Sequence, residues 1–447
     1  MSRKIDEKSV YLLSLGCARN LADSESVMGA LKKAGYIIAE EPQNARFIVV
    51  NTCGFIREAV EESIEAVLTL AIHRTAGACR RMVVAGCLVE RYGQDLARSI
   101  PEVDVFLGTG ALDKITAALS DPAPDKFSAP DPFLRAAPRP GDPRLLTTLP
   151  TAYVKISEGC PEHCTFCIIP RLKGPLKSRP ERDVVDECRK LAEEGAAEIV
   201  FAAQETTAYG LDLGPGHNLA RLLEKVASAC PKSWIRFLYA HPLRVTDELI
   251  DVVASRDNIM KYFDIPVQHA SDAVLKRMGR RHTGRDAADL FIRIREKIPE
   301  AALRTTILVG FPGETRKDFL ELVRLVQDVR FNHLGVFTYS DDTDLASHSL
   351  PAHVTPKTAR KRREDLMEIQ ADISAEHNLA HLDKSIEVLV TGASDDPDFP
   401  VLGRTRFQAP DVDGLVFLSG NQKPVGSVVR ARVARAETYD LYAHCEE

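Results

Sequence analysis

Short apolar runs of strand length alternate with stretches of helical apolar spacing through the first 376 of the chain's 447 residues. This alternation limits the fold more than any other feature, because strand–helix–strand connections build parallel sheets covered by helices. Up to about residue 120 the runs are 10–15, 47–51 and 81–86, with helical patterns at 21–35 and 59–73. From 151 to 376 six more follow, at 153–157, 198–202, 235–239, 262–266, 304–309 and 335–339, with helical patterns such as 182–194 and 317–329 between them. Six units exceed a nucleotide-binding half-fold and fit a partial (β/α)6 barrel, with a doubly wound sheet as the alternative. Between the two regions, 121–150 carries proline at 122, 124, 130, 132, 138, 140, 143 and 150. That density breaks both helix and sheet pairing and reads as an extended linker. Beyond residue 380, the β-rich runs 386–391, 403–408, 415–418 and 427–434 are split by Gly, Pro and Asp, as in a small antiparallel barrel of the OB type.

The expected architecture is therefore α/β and multidomain: a parallel α/β sheet domain at 8–120, the linker at 121–150, the barrel domain at 151–376 and the small β-barrel at 380–447. No run of about 18 apolar residues occurs, so no membrane span is expected. Residues 1–8 lack an apolar h-region, so no signal peptide is expected and the location reads as cytoplasmic. A net charge of only −6 does not suit a molecule built as a whole to grip nucleic acid.

In a reducing cytosol, cysteines stay as thiols, metal ligands or nucleophiles. Three of the ten, Cys160, Cys164 and Cys167, fall within eight residues just after an expected strand, with Phe166 before the last. A loop can wrap three such thiolates around one face of a 4Fe-4S cluster and leave the fourth iron open. A structural zinc site is the competing reading. It needs four closed ligands, and His163 sits inside the loop with the wrong reach. Cys17, Cys53 and Cys87 are far apart in sequence, yet each lies just past an expected strand and beside a glycine. Parallel strands send their carboxyl ends to one edge, so these thiols should converge as a second three-cysteine set rather than act as unrelated buried residues. Cys79, Cys188, Cys230 and Cys445 fit no ligand pattern and read as structural.

The Cys160–Cys164–Cys167 loop resembles that of the radical S-adenosylmethionine superfamily. The resemblance implies that the open iron binds the amino and carboxylate groups of S-adenosylmethionine. Cleavage would give methionine and a 5′-deoxyadenosyl radical able to abstract hydrogen from an unactivated carbon. By position, Gln204 and Glu205 could hold the methionine amino group, while Gly310, Pro312 and Gly313 make a tight turn beside the ligand, or simply a turn.

Two cysteine trios followed by a small β-barrel resemble the methylthiotransferases over nearly the whole chain except the linker. The order implied is an N-terminal methylthiotransferase domain, a radical domain and a TRAM domain. The first cluster would carry the donated sulfur and the second would generate the radical. Two molecules of S-adenosylmethionine would serve as methyl donor and radical source. A low-potential donor of the flavodoxin or ferredoxin type is expected to supply electrons.

Several stretches are similar to the branch that modifies an aspartate of the small-subunit ribosomal protein S-twelve. They are 14–20 with Asp23 and Glu25, 204–210, 264–269 and 408–414. Two residues depart from the pattern: Asp344, in the loop 339–344, and Glu205, where that branch more often has Asp. The last domain carries seven Lys and Arg against eleven Asp and Glu, a net of −4. A tRNA-gripping module should be basic, so tRNA is not expected as a partner and a basic ribosomal protein is. Asp411 and Asp413 are expected at that docking surface or, alternatively, as shapers of the turn before Gly414. The basic run 357–363 falls on an expected helix and reads as a solvated face. The competing functions are a tRNA adenosine methylthiotransferase and, from another class, a non-catalytic iron–sulfur carrier, which would need no substrate cavity.

Overall fold

The computed structural model describes residues 5–120, 125–134, 144–420 and 423–446, so much of the expected linker lies outside the described residues. The chain forms two compact units. The first comprises residues up to 147 together with 157–162 and 168–179; the second comprises 148–156, 163–167 and the chain from 180 on. Thus two segments of the stretch expected to be one barrel domain, 157–162 and 168–179, pack with the first unit.

The first unit is built on a six-stranded sheet in which every pairing is parallel. Its strands are β1 (Ser9–Ser14), β2 (Ile37–Ile38), β3 (Phe47–Thr52), β4 (Arg81–Gly86), β5 (Val105–Leu107) and β6 (Phe127–Ser128), in the order β2-β1-β3-β4-β5-β6. Ile48, Val50 and Val84 face one apolar cluster, and Val10, Val49, Val83 and Val105 face the other. Burial on both faces is why these strands read as unbroken apolar runs. The helices Ala18–Lys33, Arg57–Thr75 and Cys87–Ser99 cover the sheet. β6 falls within the stretch expected to be a linker. Its two residues sit in the gap between Pro124 and Pro130, and an edge strand that short tolerates proline on either side. Glu25, fully buried, ties residues 144–147 to the first helix: Arg144 donates to it at 2.6 Å and the Thr147 amide at 2.8 Å. A short antiparallel pair, β8 (Ser157–Glu158) with β9 (Lys177–Ser178), completes this unit.

The second unit holds the six expected strand–helix repeats. The strands are β7 (Thr151–Lys155), β10 (Glu198–Ala202), β11 (Trp234–Phe237), β12 (Tyr262–Asp264), β13 (Ala302–Val309) and β14 (His333–Thr338). All pairings are parallel, in the orders β11-β10-β7 and β12-β13-β14. A parallel bridge from Ile235 to Ile259 links the two halves into the partial barrel. The chain then forms a closed five-stranded barrel of β15 (Ser385–Ala393), β16 (Val401–Thr405), β17 (Val416–Ser419), β18 (Val428–Ala436) and β19 (Leu441–Cys445). The last strand was not expected. It closes the ring by pairing parallel with β17, so the barrel is not wholly antiparallel and leaves no free edge.

Charged and aromatic side chains join this small barrel to the amino-terminal ends of the larger barrel's strands. Glu198, at the start of β10 and fully buried, receives Arg236 Nε at 2.9 Å, Arg404 Nη2 at 2.5 Å and the Thr151 hydroxyl at 3.1 Å. Asp413 corrects the expectation of a docking surface, while Asp411 is exposed. Asp411 accepts the Tyr153 hydroxyl at 2.6 Å. Asp413, whose side chain is 1% exposed, accepts the Tyr262 hydroxyl and the Ala409 amide at 2.7 Å and lies 3.5 Å from both Arg304 and His333. Asp411 and Asp413 give the Tyr153 and Tyr262 hydroxyls acceptors that these buried rings would otherwise lack, while Arg304 also reaches Asp264 at 2.9 Å.

Candidate functional site

The first cysteine trio lies wholly within the first unit. Cys17 caps the helix Ala18–Lys33, Cys53 follows β3 and Cys87 opens the helix Cys87–Ser99. The preceding strands β1, β3 and β4 are immediate neighbours. Parallel strands lie about 4.8 Å apart, so the three thiols are delivered side by side to one edge. Close approach is enforced by glycine. A Cβ on Gly16, which has φ +90°, would fall 2.8 Å from Cys53 Cβ, and one on Gly54 would fall 2.9 Å from the Cys87 carbonyl. An asparagine pair fixes the rim. Asn20 Nδ2 donates to the Leu15 and Thr52 carbonyls at 3.0 and 2.9 Å, and Asn51 Nδ2 donates to the Asn20 carbonyl at 3.0 Å.

The electrostatics divide the trio. Burial raises the Cys17 thiol, but the Arg19 charge and the Asn20 and Arg19 amides outweigh it and bring the group down to about 7. Burial pushes Cys53 up, with the neighbouring Cys17 adding to it. Cys87 rises to about 11, mainly by burial, with Cys53 and Cys17 contributing and Lys173 opposing. Lys173 is itself buried, with Glu158 at 3.1 Å and Asp23 at 4.0 Å. Three thiols that disfavour one another's charge are a set that a polycation would relieve by taking all three as thiolates. Among the described residues no three His, Cys, Asp or Glu side chains could hold a single metal ion. A 4Fe-4S cube takes one thiolate on each of several irons, and ligands spread along a strand edge suit it better than they suit one ion.

Of the second trio, Cys160 belongs to the first unit and Cys164 and Cys167 to the second. The Cys160 amide donates to the Gly174 carbonyl at 3.3 Å. Gly159, with φ +78°, has no room for a Cβ, which would fall 2.1 Å from the Pro175 carbonyl oxygen. The Cys167 amide donates to the Cys164 carbonyl at 3.1 Å. Thr165 between them donates its amide to the Met278 carbonyl at 3.0 Å and its hydroxyl to the Arg277 carbonyl at 2.9 Å. Phe166 meets Phe311 edge to face at 6.3 Å, and Arg280 Nη1 donates to Cys164 Sγ at 3.7 Å. His163 is exposed.

Of the other expected site residues, Gln204 and Glu205 follow β10, and Gly310, Pro312 and Gly313 follow β13, so both groups lie at carboxyl ends of barrel strands. Gln204 is half-buried. The Glu205 carboxylate is buried and already engaged, by Arg244 at 2.8 Å and by the Thr207 hydroxyl. Gly310 and Gly313 have φ +78° and +83°. Glu314 folds back onto the Gly310 and Phe311 amides and meets Arg362 at 3.0 Å. The turn's own closure thus accounts for its glycines. Arg362 belongs to the basic run 357–363, so that run is not simply a solvated face. Asp344 is half-buried in a loop that the Tyr339 hydroxyl closes by donating to Ser347 Oγ at 2.8 Å.

Reading the sequence alone missed Lys173, Glu158 and Arg280. Arg19 and Asn20 lay in a quoted stretch, two and three residues past Cys17, without a role. No helix among the described residues is long and apolar enough to cross a membrane.

Three family models match: the Uncharacterized protein family UPF0004 over residues 9–108, the Radical SAM superfamily over 154–326 and the TRAM domain over 384–445. The chain is 47% identical over 435 residues to the ribosomal protein uS12 methylthiotransferase RimO of Desulfosudis oleivorans, covering 97% of this chain and 98% of that one. It is 44% identical over 444 residues to the protein of the same name from Syntrophus aciditrophicus, covering 98% of each. Among solved structures, the radical S-adenosylmethionine methyltransferase TsrM from Kitasatospora setae, with cobalamin and a [4Fe-4S] cluster bound, superposes with TM-score 0.53 at 17% identity. That match covers 74% of this chain and 75% of the other and speaks to the fold alone.

Proposed function

Because the chain belongs to the ribosomal protein uS12 methylthiotransferase RimO family, we propose that it methylthiolates the β-carbon of an aspartate in that protein. It would do so as a radical S-adenosylmethionine enzyme carrying two 4Fe-4S clusters. Cys160, Cys164 and Cys167 would hold the cluster that binds S-adenosylmethionine, and Cys17, Cys53 and Cys87 the cluster that carries the donated sulfur. The observation that carries the two-cluster reading is the delivery of Cys17, Cys53 and Cys87 to one edge by three adjacent parallel strands. A non-catalytic carrier would have no need of a six-unit barrel.

When bound, the cluster of the barrel loop supplies the electron that cleaves S-adenosylmethionine, from which the radical and, separately, the methyl group derive. The chain's own residues bind and orient. Phe166 on Phe311 ties the cysteine loop to the Gly310–Gly313 turn, and Gln204 and Glu205 stand at the end of β10 to meet the methionine amino group, with Arg244 setting the Glu205 carboxylate. A β-carbon is unactivated, so a proton-transfer route to it is closed and hydrogen abstraction is the step required. A flavodoxin- or ferredoxin-type donor would supply the electrons, and the enzyme would act in the cytoplasm, where its substrate is made.

The test offers the anaerobically reconstituted enzyme both bulk tRNA and uS12 with S-adenosylmethionine and a reductant. Mass spectrometry should find a methylthio group on an aspartate of uS12. Methylthioadenosine on tRNA with an unmodified aspartate would transfer the assignment to the tRNA-modifying branch.

A further inference from the structure

The contact between Arg280 and Cys164 is not explained by the folding of either segment. The helix Asp272–Arg277 ends in a turn whose Gly279 has φ +73°, and a Cβ there would fall 2.9 Å from the His163 carbonyl oxygen. This turn therefore lies flat against the cysteine loop. Two bonds fix the register between them, Thr165 amide to Met278 carbonyl at 3.0 Å and Thr165 hydroxyl to Arg277 carbonyl at 2.9 Å. Arg280 comes next. Its amide donates to the Leu275 carbonyl at 2.9 Å, and its Nη2 donates to the Pro266 carbonyl at 3.0 Å, just past β12. With both backbone and guanidinium held, Nη1 is aimed at Cys164 Sγ at 3.7 Å.

A guanidinium is permanently charged and carries five donors in a rigid fork. Anchored at one corner to the Pro266 carbonyl, it presents an N–H to the Cys164 sulfur. Hydrogen bonds and positive charge at ligand sulfurs favour the reduced cluster, because reduction adds one negative charge. We propose that Arg280 is a positioning residue for the radical-generating cluster: anchored to the Pro266 carbonyl, it donates to the Cys164 sulfur and raises the cluster's reduction potential. The inference rests on the assignment of Cys160, Cys164 and Cys167 as cluster ligands and goes beyond it.

The experiment uses the full-length chain with Cys17, Cys53 and Cys87 replaced by Ala, reconstituted anaerobically so that one cluster remains, and follows reduction by electron paramagnetic resonance against solution potential. Arg280→Met should keep the iron and lower the midpoint so that reduction at a given potential is roughly tenfold less favourable, about 59 mV for one electron. Arg280→Lys, which keeps charge but not the fork, should fall between Met and the parent. A parent without cluster iron would overturn the ligand assignment itself. An iron-loaded Arg280→Met with an unshifted midpoint would overturn the role of Arg280 alone. Loss of the cluster from both variants would equally overturn it, since Arg280 would then be shaping the loop rather than tuning its sulfur.

Discussion

Replacing Arg404 by Met should loosen the base of the larger barrel, and its cost follows from the contacts of Glu198. That carboxylate is fully buried and takes Arg236 on Oε1 and Arg404 with Thr151 on Oε2. Removing one partner of such a pair costs about 3–5 kcal/mol, because the remaining charge stays buried. Burial raises the Glu198 carboxyl, but Arg404 and Arg236 outweigh it and hold the group at about 2 against an ordinary 4.5. The sign is that of a depressed carboxylate. Its stabilisation is fully present above 4.5 and is lost as pH falls towards 2. Trp234, the chain's single tryptophan, is buried at this seam, with the Arg406 guanidinium 5.6 Å from its ring centre. Urea unfolding followed by its fluorescence should show Arg404→Met opening at lower urea than the parent at pH 7. Glu198→Gln should also be weaker at pH 7, yet lose less than the parent between pH 4.5 and 2. Equal midpoints for Arg404→Met and parent, or parallel pH slopes for Glu198→Gln and parent, would refute this account of the seam.

Two predictions concern the thiols. Changing Cys160, Cys164 and Cys167 together should leave about half the iron and abolish reductive cleavage of S-adenosylmethionine, whereas changing Cys17, Cys53 and Cys87 should spare cleavage and stop sulfur insertion; methylthio product from the latter variant, measured by mass spectrometry, would remove the first trio from the reaction. In the metal-free protein at pH 7, iodoacetamide should label Cys17, held at about 7, well before Cys87, held at about 11, and Arg19→Met should slow Cys17 labelling by roughly tenfold for each pH unit its thiol rises.

The sequence carried the larger strands and the cysteine placement because both are local signals. Six-residue runs such as β3 and β4 are apolar on both faces, and a cysteine one residue past such a run needs no partner to be recognised. β2 and β6, at two residues each, are too short to carry a period. The seam was illegible for a different reason. Tyr153 and Asp411 are 258 residues apart, and Glu198 and Arg404 are 206 apart; no spacing rule reaches that far. An aspartate in a turn before glycine looks the same whether it faces water or a buried tyrosine. Lys173 was passed over because lysines near glycine and proline are ordinary, and only the fold brings Glu158 and Asp23 around it.

The loop 408–414 makes the two barrels share a floor. Tyr153 and Tyr262 donate to Asp411 and Asp413 of the smaller barrel, and Arg304 and His333 lie 3.5 Å from Asp413, so four different strands of the larger barrel reach these two carboxylates. A chimera that grafts the last domain of a relative onto this chain must therefore transplant the acceptors as well as the β-strands. Cutting the chain near residue 380 would leave two tyrosine hydroxyls and a guanidinium facing solvent at the underside of a catalytic barrel.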